Sequence, residues 1–402
     1  MATIDPNNLL YRLQAAGLFI FLLGFFVLPS PGSHETIYYI FVMLPFFLLL
    51  PFNFREFVNL NSSYILLIIL MVYYMGSMLW SQEFNSDTLY YFSRRLFYIS
   101  CLILTVKSVI DHFPLFDQFA VKFFIVIGSC LFSLCLFNYF YLHGLSMPRF
   151  HPEPGSMITL GRFENAIRCA WILGSMVLIS LWMLLREREQ YLKIFYSLSL
   201  IPSFLLLMLT QSRGAILPFI VCLPIVICLS RDSGRVKILG LILGVLIMSG
   251  LWLFFTPTGN NLLNGLINRG LSFRIDIWSA VLNETKGDLI FGQGLRRDSD
   301  IITELAEKFN HSHNFVLSVL RFSGITGVLL LLAMVGQCLK EAFTNTTENM
   351  PLWGILLLFG SLCLFTNGKF PLSSPRESWF IFWLPIAFIC AHANNNKKRI
   401  NA

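Results

Sequence analysis

Three short motifs carry side chains able to handle a phosphorylated, activated substrate. Gln211-Ser-Arg-Gly-Ala215 puts a guanidinium into a tight connection between two apolar runs. A guanidinium forks two oxygens of a phosphate, and Ser212 and Gly214 would let backbone approach it closely. The plainer alternative is that Arg213 snorkels to water at an interface. Ser272-Phe-Arg-Ile-Asp-Ile-Trp278 reads as a helix start capped by Ser272, with Arg274 in the first turn, where free N–H groups favour an anion. Trp278, one turn further on, packs that helix down or stacks on a sugar. His311-Ser-His-Asn314 sets two imidazoles and an amide before another apolar run. A neutral imidazole accepts a proton near neutral pH. A His-x-His pair also binds metals, but no cysteine or well-spaced carboxylate completes a ligand set, so no metal is expected.

Other charges stand at similar boundaries: Arg94-Arg95, Gly161-Arg162-Phe-Glu-Asn165, and the trio Lys369, Arg376 and Glu377. Each reads first as an interfacial charge, yet all fall on one side of the chain's alternating path. His313, Arg213 and Arg274 are the catalytic candidates. Arg95, Arg162, Ser212, Trp278, Arg296, His311 and Asn314 are the substrate-binding candidates.

The elements that must position them are membrane helices. Of 402 residues, 56% are hydrophobic and 13% charged, about half the charged share of a soluble protein. Twelve apolar runs fall near 13–30, 37–52, 63–80, 92–110, 119–142, 165–185, 192–210, 214–230, 236–255, 314–339, 352–367 and 378–393. Several are shorter than the roughly 20 residues of a full span. Pro45 and Pro218 are expected to kink theirs. The 40 Phe and 8 Trp suit lipid-facing helices and interfacial belts. All nine cysteines lie inside apolar runs, which suggests neither a disulfide framework nor a CxxC metal site. The first run reads as a retained helix, without a cleavable signal. The net charge of +7 is a matter of sidedness here, and nucleic acid is not implied.

An even number of spans puts both termini on one side. Arg186, Arg188, Lys193, Arg231, Arg235 and Lys237, with Lys397, Lys398 and Arg399 of the tail, make that side cytoplasmic by the positive-inside rule. The chemistry-bearing motifs then face outward. Seven cations lie between Arg269 and Arg321, in or next to the longest hydrophilic stretch, 256–313. Two amphipathic helices are expected in that stretch. One carries Leu271, Ile275, Trp278 and Leu282, the other Ile301, Leu305 and Phe309, with the turn Gly287-Asp-Leu-Ile-Phe-Gly-Gln-Gly294 between them. The stretch is too short to bury its own core, so it reads as a lid. The organisation is thus 1–255 with nine spans, 256–313 as the outer loop, and 314–402 with three spans and a tail.

Together the motifs resemble the O-antigen ligase and polymerase superfamily. The resemblance is carried by Ser212-Arg-Gly-Ala215, Phe273-Arg274 with Trp278, Phe291-Gly-Gln-Gly294, His311-Ser-His-Asn314 with Phe315-Val-Leu, Gly324-Ile-Thr-Gly327, and Glu377-Ser-Trp…Phe-Trp-Leu-Pro385. It implies an all-α polytopic membrane fold of about twelve helices, GT-C-like, with a helical periplasmic lid, in a Gram-negative inner membrane. It implies a glycan donor on undecaprenyl pyrophosphate, a lipid A-core acceptor in ligases, and neither cofactor nor metal. By motif match Arg213 and Arg274 engage the donor pyrophosphate, His313 is the essential histidine, and His311 matches less closely.

The chemistry of the residues agrees with this. Arginines stabilise charge on a leaving pyrophosphate and an imidazole takes the hydroxyl proton. A direct displacement would invert the anomeric carbon. Within the family a polymerase shares this logic. A protein O-oligosaccharyltransferase tends to carry extra soluble material, and here the chain ends about ten residues after its last span. A transporter or flippase would place its charges near the midplane and show repeat symmetry. These charges gather at one face, so transfer chemistry is favoured, and ligase over polymerase.

Overall fold

The computed structural model describes residues 6–28, 30–58, 61–144, 150, 165–229, 274–297, 300–303, 308–345, 347 and 349–400. The helices are α1 (Pro6–Val27), α2 (Pro31–Tyr38), α3 (Leu44–Val58), α4 (Ser62–Gly76), α5 (Ser86–His112), α6 (Phe116–His143), α7 (Ala166–Arg186), α8 (Gln190–Leu209), α9 (Arg213–Leu229), α10 (Arg274–Glu284), α11 (Phe315–Thr344), α12 (Met350–Asn367) and α13 (Leu384–Ile400). Every apolar run except 236–255, which lies outside the described residues, falls on a helix. Among the described residues, eight helical stretches are long and apolar enough to cross a membrane, and Arg213–Leu229 and Trp379–Ala393 are shorter apolar helices. The protein is an all-α polytopic membrane protein.

α7 and the chain around α13 form the centre. From Trp379 to Ala391 every residue is buried, as expected of a helix that is apolar on all sides. Trp182, Trp353, Trp379 and Trp383 are among the largest fully buried side chains. These four tryptophans therefore pack the core and do not form an interfacial belt. Their indoles fill large volumes between helices, as the near-parallel stack of Trp353 on Phe388 at 4.2 Å shows.

Pro45 does not act alone in bending its helix. A π-turn, Tyr39–Met43, precedes it, and a second π-turn, Trp379–Trp383, stands in the same relation to Pro385. A proline has no N–H for the carbonyl four residues back. Widening the turn ahead of it relieves the clash, and the N–H of Leu44 and of Leu384 reaches back five residues instead. The carbonyls at Phe41 and Ile381 face Gly17 of α1 and Gly360 of α12, so those helices pack at backbone distance.

α11 is broken once, at Gly324, with φ 62° and ψ −171°. The break would orphan two carbonyls and two N–H groups, and the glycine turn of the outer loop takes up all four. Gln293 N donates to Arg321 O and Gly294 N to Phe322 O, both at 2.9 Å. In return Ile325 N donates to Leu289 O at 2.9 Å and Thr326 N to Ile290 O at 3.2 Å. The two glycine motifs seen in sequence thus interlock. A Cβ on Gly324 would meet Ile290 O at 2.2 Å.

The outer loop departs from expectation in its second half. The first expected helix is α10. The second is not a helix where the chain is described: Ile301–Ile302 (β1) pairs antiparallel with Lys308–Phe309 (β2). The apolar residues read as a helical stripe serve a two-stranded ribbon instead. Ile301 is buried with Ile277 and Val281 of α10, and Phe309 packs on that cluster. An alternating buried–exposed pair meets the same hydrophobic demand as one helical turn. Glu284, at the end of α10, accepts from Arg296 at 2.7 Å and from Arg321 of α11 at 2.8 Å, which ties the loop to the bundle.

Candidate active site

His313 stands two residues before α11, next to its cap Asn314, in a left-handed backbone conformation, φ 52°. Its neighbours hold it there. Asn314 caps α11, its Oδ1 accepting from Val316 N at 2.9 Å and Leu317 N at 3.1 Å. Ser312 Oγ donates to Asn314 O at 2.6 Å and lies 2.7 Å from Ser318 Oγ. Trp278 Nε1 donates to Ser312 O at 3.1 Å. Trp278 and Asn314, both substrate-binding candidates, thus have structural partners of their own.

His313 Nδ1 lies 2.7 Å from Asn367 Oδ1 at the end of α12. An amide oxygen only accepts, so Nδ1 carries the proton and Nε2 keeps its lone pair. Burial lowers the His313 pKa, with Arg274 and Lys369 adding to the effect, while the Asn367 bond opposes it. The imidazole is therefore neutral at pH 7 and able to act as a base. His311 lies beside it, ring centroids 3.8 Å apart, and hydrogen-bonds the Asn310 side chain. Burial, then His313, Lys369 and Arg168, push His311 down to about 3. It is a neutral neighbour across the pH range of the cell.

Arg213 opens α9 and Arg274 opens α10. Burial and then the nearby Arg213 lower the Arg274 pKa, and Arg274 in turn bears on His313. The three catalytic candidates therefore form one electrostatic group, brought together from three helix starts far apart in sequence. Thr366 Oγ1, next to Asn367, donates to Gly214 O at 3.0 Å and fixes α9 against α12. Ser212 is buried, its N–H directed at Thr210 Oγ1 at 3.3 Å. Gly214 thus serves helix packing, since its Cβ position lies 2.8 Å from Thr366 Oγ1.

Two adjoining cavities open beside His313. The first, about 320 Å³, is lined by His311, His313, Asn367, Arg168, Lys369, Arg376 and Glu377, with Trp171, Phe382 and Trp383 among its apolar walls. The second, about 250 Å³, is lined by Tyr91, Arg95, Arg296, Arg297 and Arg321. Asn310, His311, Lys369, Phe370, Ser373 and Arg376 belong to both. Arg213 and Arg274 line neither cavity, while His313 lines the first and lies close enough to Arg274 for that charge to lower its pKa.

Arg95 sits over the Tyr91 ring, 3.1 Å from its centroid, and donates to Tyr91 O. Arg296 lines the second cavity with its charge held by Glu284. Arg162, Ser272 and Phe273 lie outside the described residues. Sequence reasoning missed Asn367, Asn310 and Arg168. Only the polar run Thr366-Asn-Gly-Lys369 between two apolar spans signalled the first of these.

A helical membrane bundle with a half-buried, neutral imidazole and a group of cations around it defines a membrane-embedded protein with a polar, cation-lined candidate site. Residues 198–332 match the family described as O-Antigen ligase. An O-antigen ligase of Pseudomonas aeruginosa is 30% identical over 127 residues, 31% of this chain and 32% of that protein. The matched stretch spans about a third of that relative's length. The resemblance to the O-antigen ligase superfamily is thereby shown, over the region that carries Arg213, Arg274 and His313.

Proposed function

We propose that this protein is an O-antigen ligase that moves a glycan from undecaprenyl pyrophosphate to a sugar hydroxyl of lipid A-core. The acceptor oxygen attacks the anomeric carbon, and the carbon–oxygen bond to pyrophosphate breaks with its electron pair leaving on the lipid pyrophosphate. His313 Nε2 takes the hydroxyl proton. Arg213 and Arg274 hold the pyrophosphate and stabilise the charge it gains. Asn367 is a positioning residue that fixes the tautomer. Attack opposite the leaving group inverts the anomeric configuration. The pyrophosphate ester already stores the driving free energy, so the step uses no nucleotide, and no cofactor or metal enters it. In this reading the site faces the periplasm across the inner membrane, both termini lie in the cytoplasm, and a reporter fused after Ala402 reads cytoplasmic.

The observation that carries the reading is the His313–Asn367 bond: it leaves a lone pair on an imidazole that lines the first cavity and lies near Arg274. The test is transfer by purified protein in nanodiscs, supplied with lipid-linked glycan and lipid A-core. Glycan-capped lipid A-core should form with release of undecaprenyl pyrophosphate, and His313→Ala should slow it about 10²- to 10⁴-fold, the contribution of a general base. Glycan lengthening on its own carrier, with the core untouched, would make the protein a polymerase and overturn the proposal.

A further inference from the structure

Beyond the arginine pair, the two cavities carry more positive charge than a neutral acceptor would use. Arg168, Lys369 and Arg376 line the first, with Glu377 as its one carboxylate among the described residues. Among the described residues no carboxylate lines the second, where Arg95 and Arg297 both lie over the face of Tyr91. Among the described residues, Arg168, Lys369 and Arg376 make no salt bridge. Arg376 Nε is buried without a hydrogen-bond partner. Glu284 absorbs Arg296 and Arg321, so those two serve the loop, while Lys369 and Arg376 stand at the junction of the cavities.

Cations kept close together and partly desolvated are unfavourable unless something pairs them. Their mutual effect is visible: after burial, Arg376 and Arg168 lower the Lys369 pKa, and Arg168 lowers that of Arg376. Such a cluster at the mouth of a site is a place where an anion is the missing partner. In the proposed reaction the donor pyrophosphate is held by Arg213 and Arg274, which line neither cavity.

We propose that the paired cavities are an acceptor subsite for an anionic saccharide, one bearing phosphate or carboxylate groups near the accepting hydroxyl, read by Lys369 and Arg376 with Arg168. This rests on the ligase reading for the word acceptor, but the charge preference is measurable without transfer. His311 lines both cavities and His313 the first, so an anionic group held at Lys369 and Arg376 would leave a neighbouring hydroxyl within the first cavity to face the His313 imidazole. Trp171 and Phe382 supply apolar walls for the faces of the sugar rings.

The experiment measures equilibrium binding to the full-length protein in nanodiscs, without donor. The probes are lipid A-core glycolipid as isolated, the same material after hydrofluoric acid removes its phosphate monoesters, and the same material with its carboxylates reduced to alcohols. At least one of the treatments should weaken binding about tenfold or more, and the treatment that does so identifies the anionic group. Binding of the untreated glycolipid should also weaken as salt rises. Arg376→Gln and Lys369→Gln should remove most of the difference between treated and untreated glycolipid, while Arg213→Ala retains it. Equal binding of all three probes by the unaltered protein overturns the inference, as does a charge preference that survives both variants. If discrimination is found but no transfer occurs with donor present, the subsite stands and the ligase reading falls.

Discussion

The bond between His313 and Asn367 is the most informative place to perturb the site. Asn367→Leu keeps the forked shape of the side chain but leaves the Nδ1–H without its acceptor. Losing the partner of a buried polar group costs about 1–3 kcal/mol. At about 1.4 kcal/mol per tenfold in rate, kcat should fall about 5- to 150-fold if the bond selects the reactive tautomer. The pH profile separates this from a structural effect. As a base, His313 must be unprotonated, so the rate rises with pH through its pKa and then levels off. Burial and the nearby Arg274 and Lys369 place that inflection below the ordinary imidazole value of 6.5, and the Asn367 bond alone opposes the fall. Asn367→Leu should therefore move the inflection further down as the plateau drops. Asn367→Asp keeps an acceptor and adds a negative charge, so its inflection should move up with the plateau largely preserved. The assay is initial transfer rate against pH in nanodiscs at saturating donor. A Leu variant with an unchanged plateau, or Leu and Asp variants that shift the inflection the same way, would refute the reasoning.

Arg274→Gln removes a cation that both faces the proposed pyrophosphate and lowers the His313 pKa. The donor KM should rise about tenfold or more, and the pH inflection should move up; an unchanged inflection would separate the two residues. Gly324→Ala places a Cβ 2.2 Å from Ile290 O at φ 62°. It should destabilise the fold by about 1–3 kcal/mol, read as a lower thermal midpoint, and an unchanged midpoint would mean that the loop and helix do not depend on this close approach.

The helices were legible because long apolar runs in a chain with 13% charge have few other folds available. The place of two motifs at helix ends was legible for a related reason: Arg213 and His313 stand at boundaries of such runs, where hydration changes abruptly. What the sequence hid was pairing across distance. Asn367 lies 54 residues from His313, and nothing in local pattern joins them. Ile301 and Phe309 fit a helical stripe as well as a ribbon, because a spacing of eight positions suits both periods. The tryptophans misled for a different reason. An indole is at home in an interface or between large helices, and composition alone does not say which.

Backbone strain links these findings. Among the described residues, Gln211 and His313 are the two non-glycine positions in the left-handed region, φ 50° and 52°. Each costs about 1–2 kcal/mol, and both fall in motifs first picked out for their chemistry. Their environments over-determine them. Gln211 N donates to Met208 O and Thr210 Oγ1 to Leu207 O, which closes α8, so the chain turns within three residues and Arg213 opens α9. At His313, Trp278, Ser312 and Asn314 fix the bend on one side and Asn367 fixes the ring on the other. An extended His313 would lengthen the approach to α11 and break with Asn367. The bend is what allows an imidazole at a helix start to meet the end of α12 while its neighbour caps that same helix. Strain placed under such constraint holds the imidazole in one position, which would leave substrate binding little ordering to do if His313 is the base proposed above.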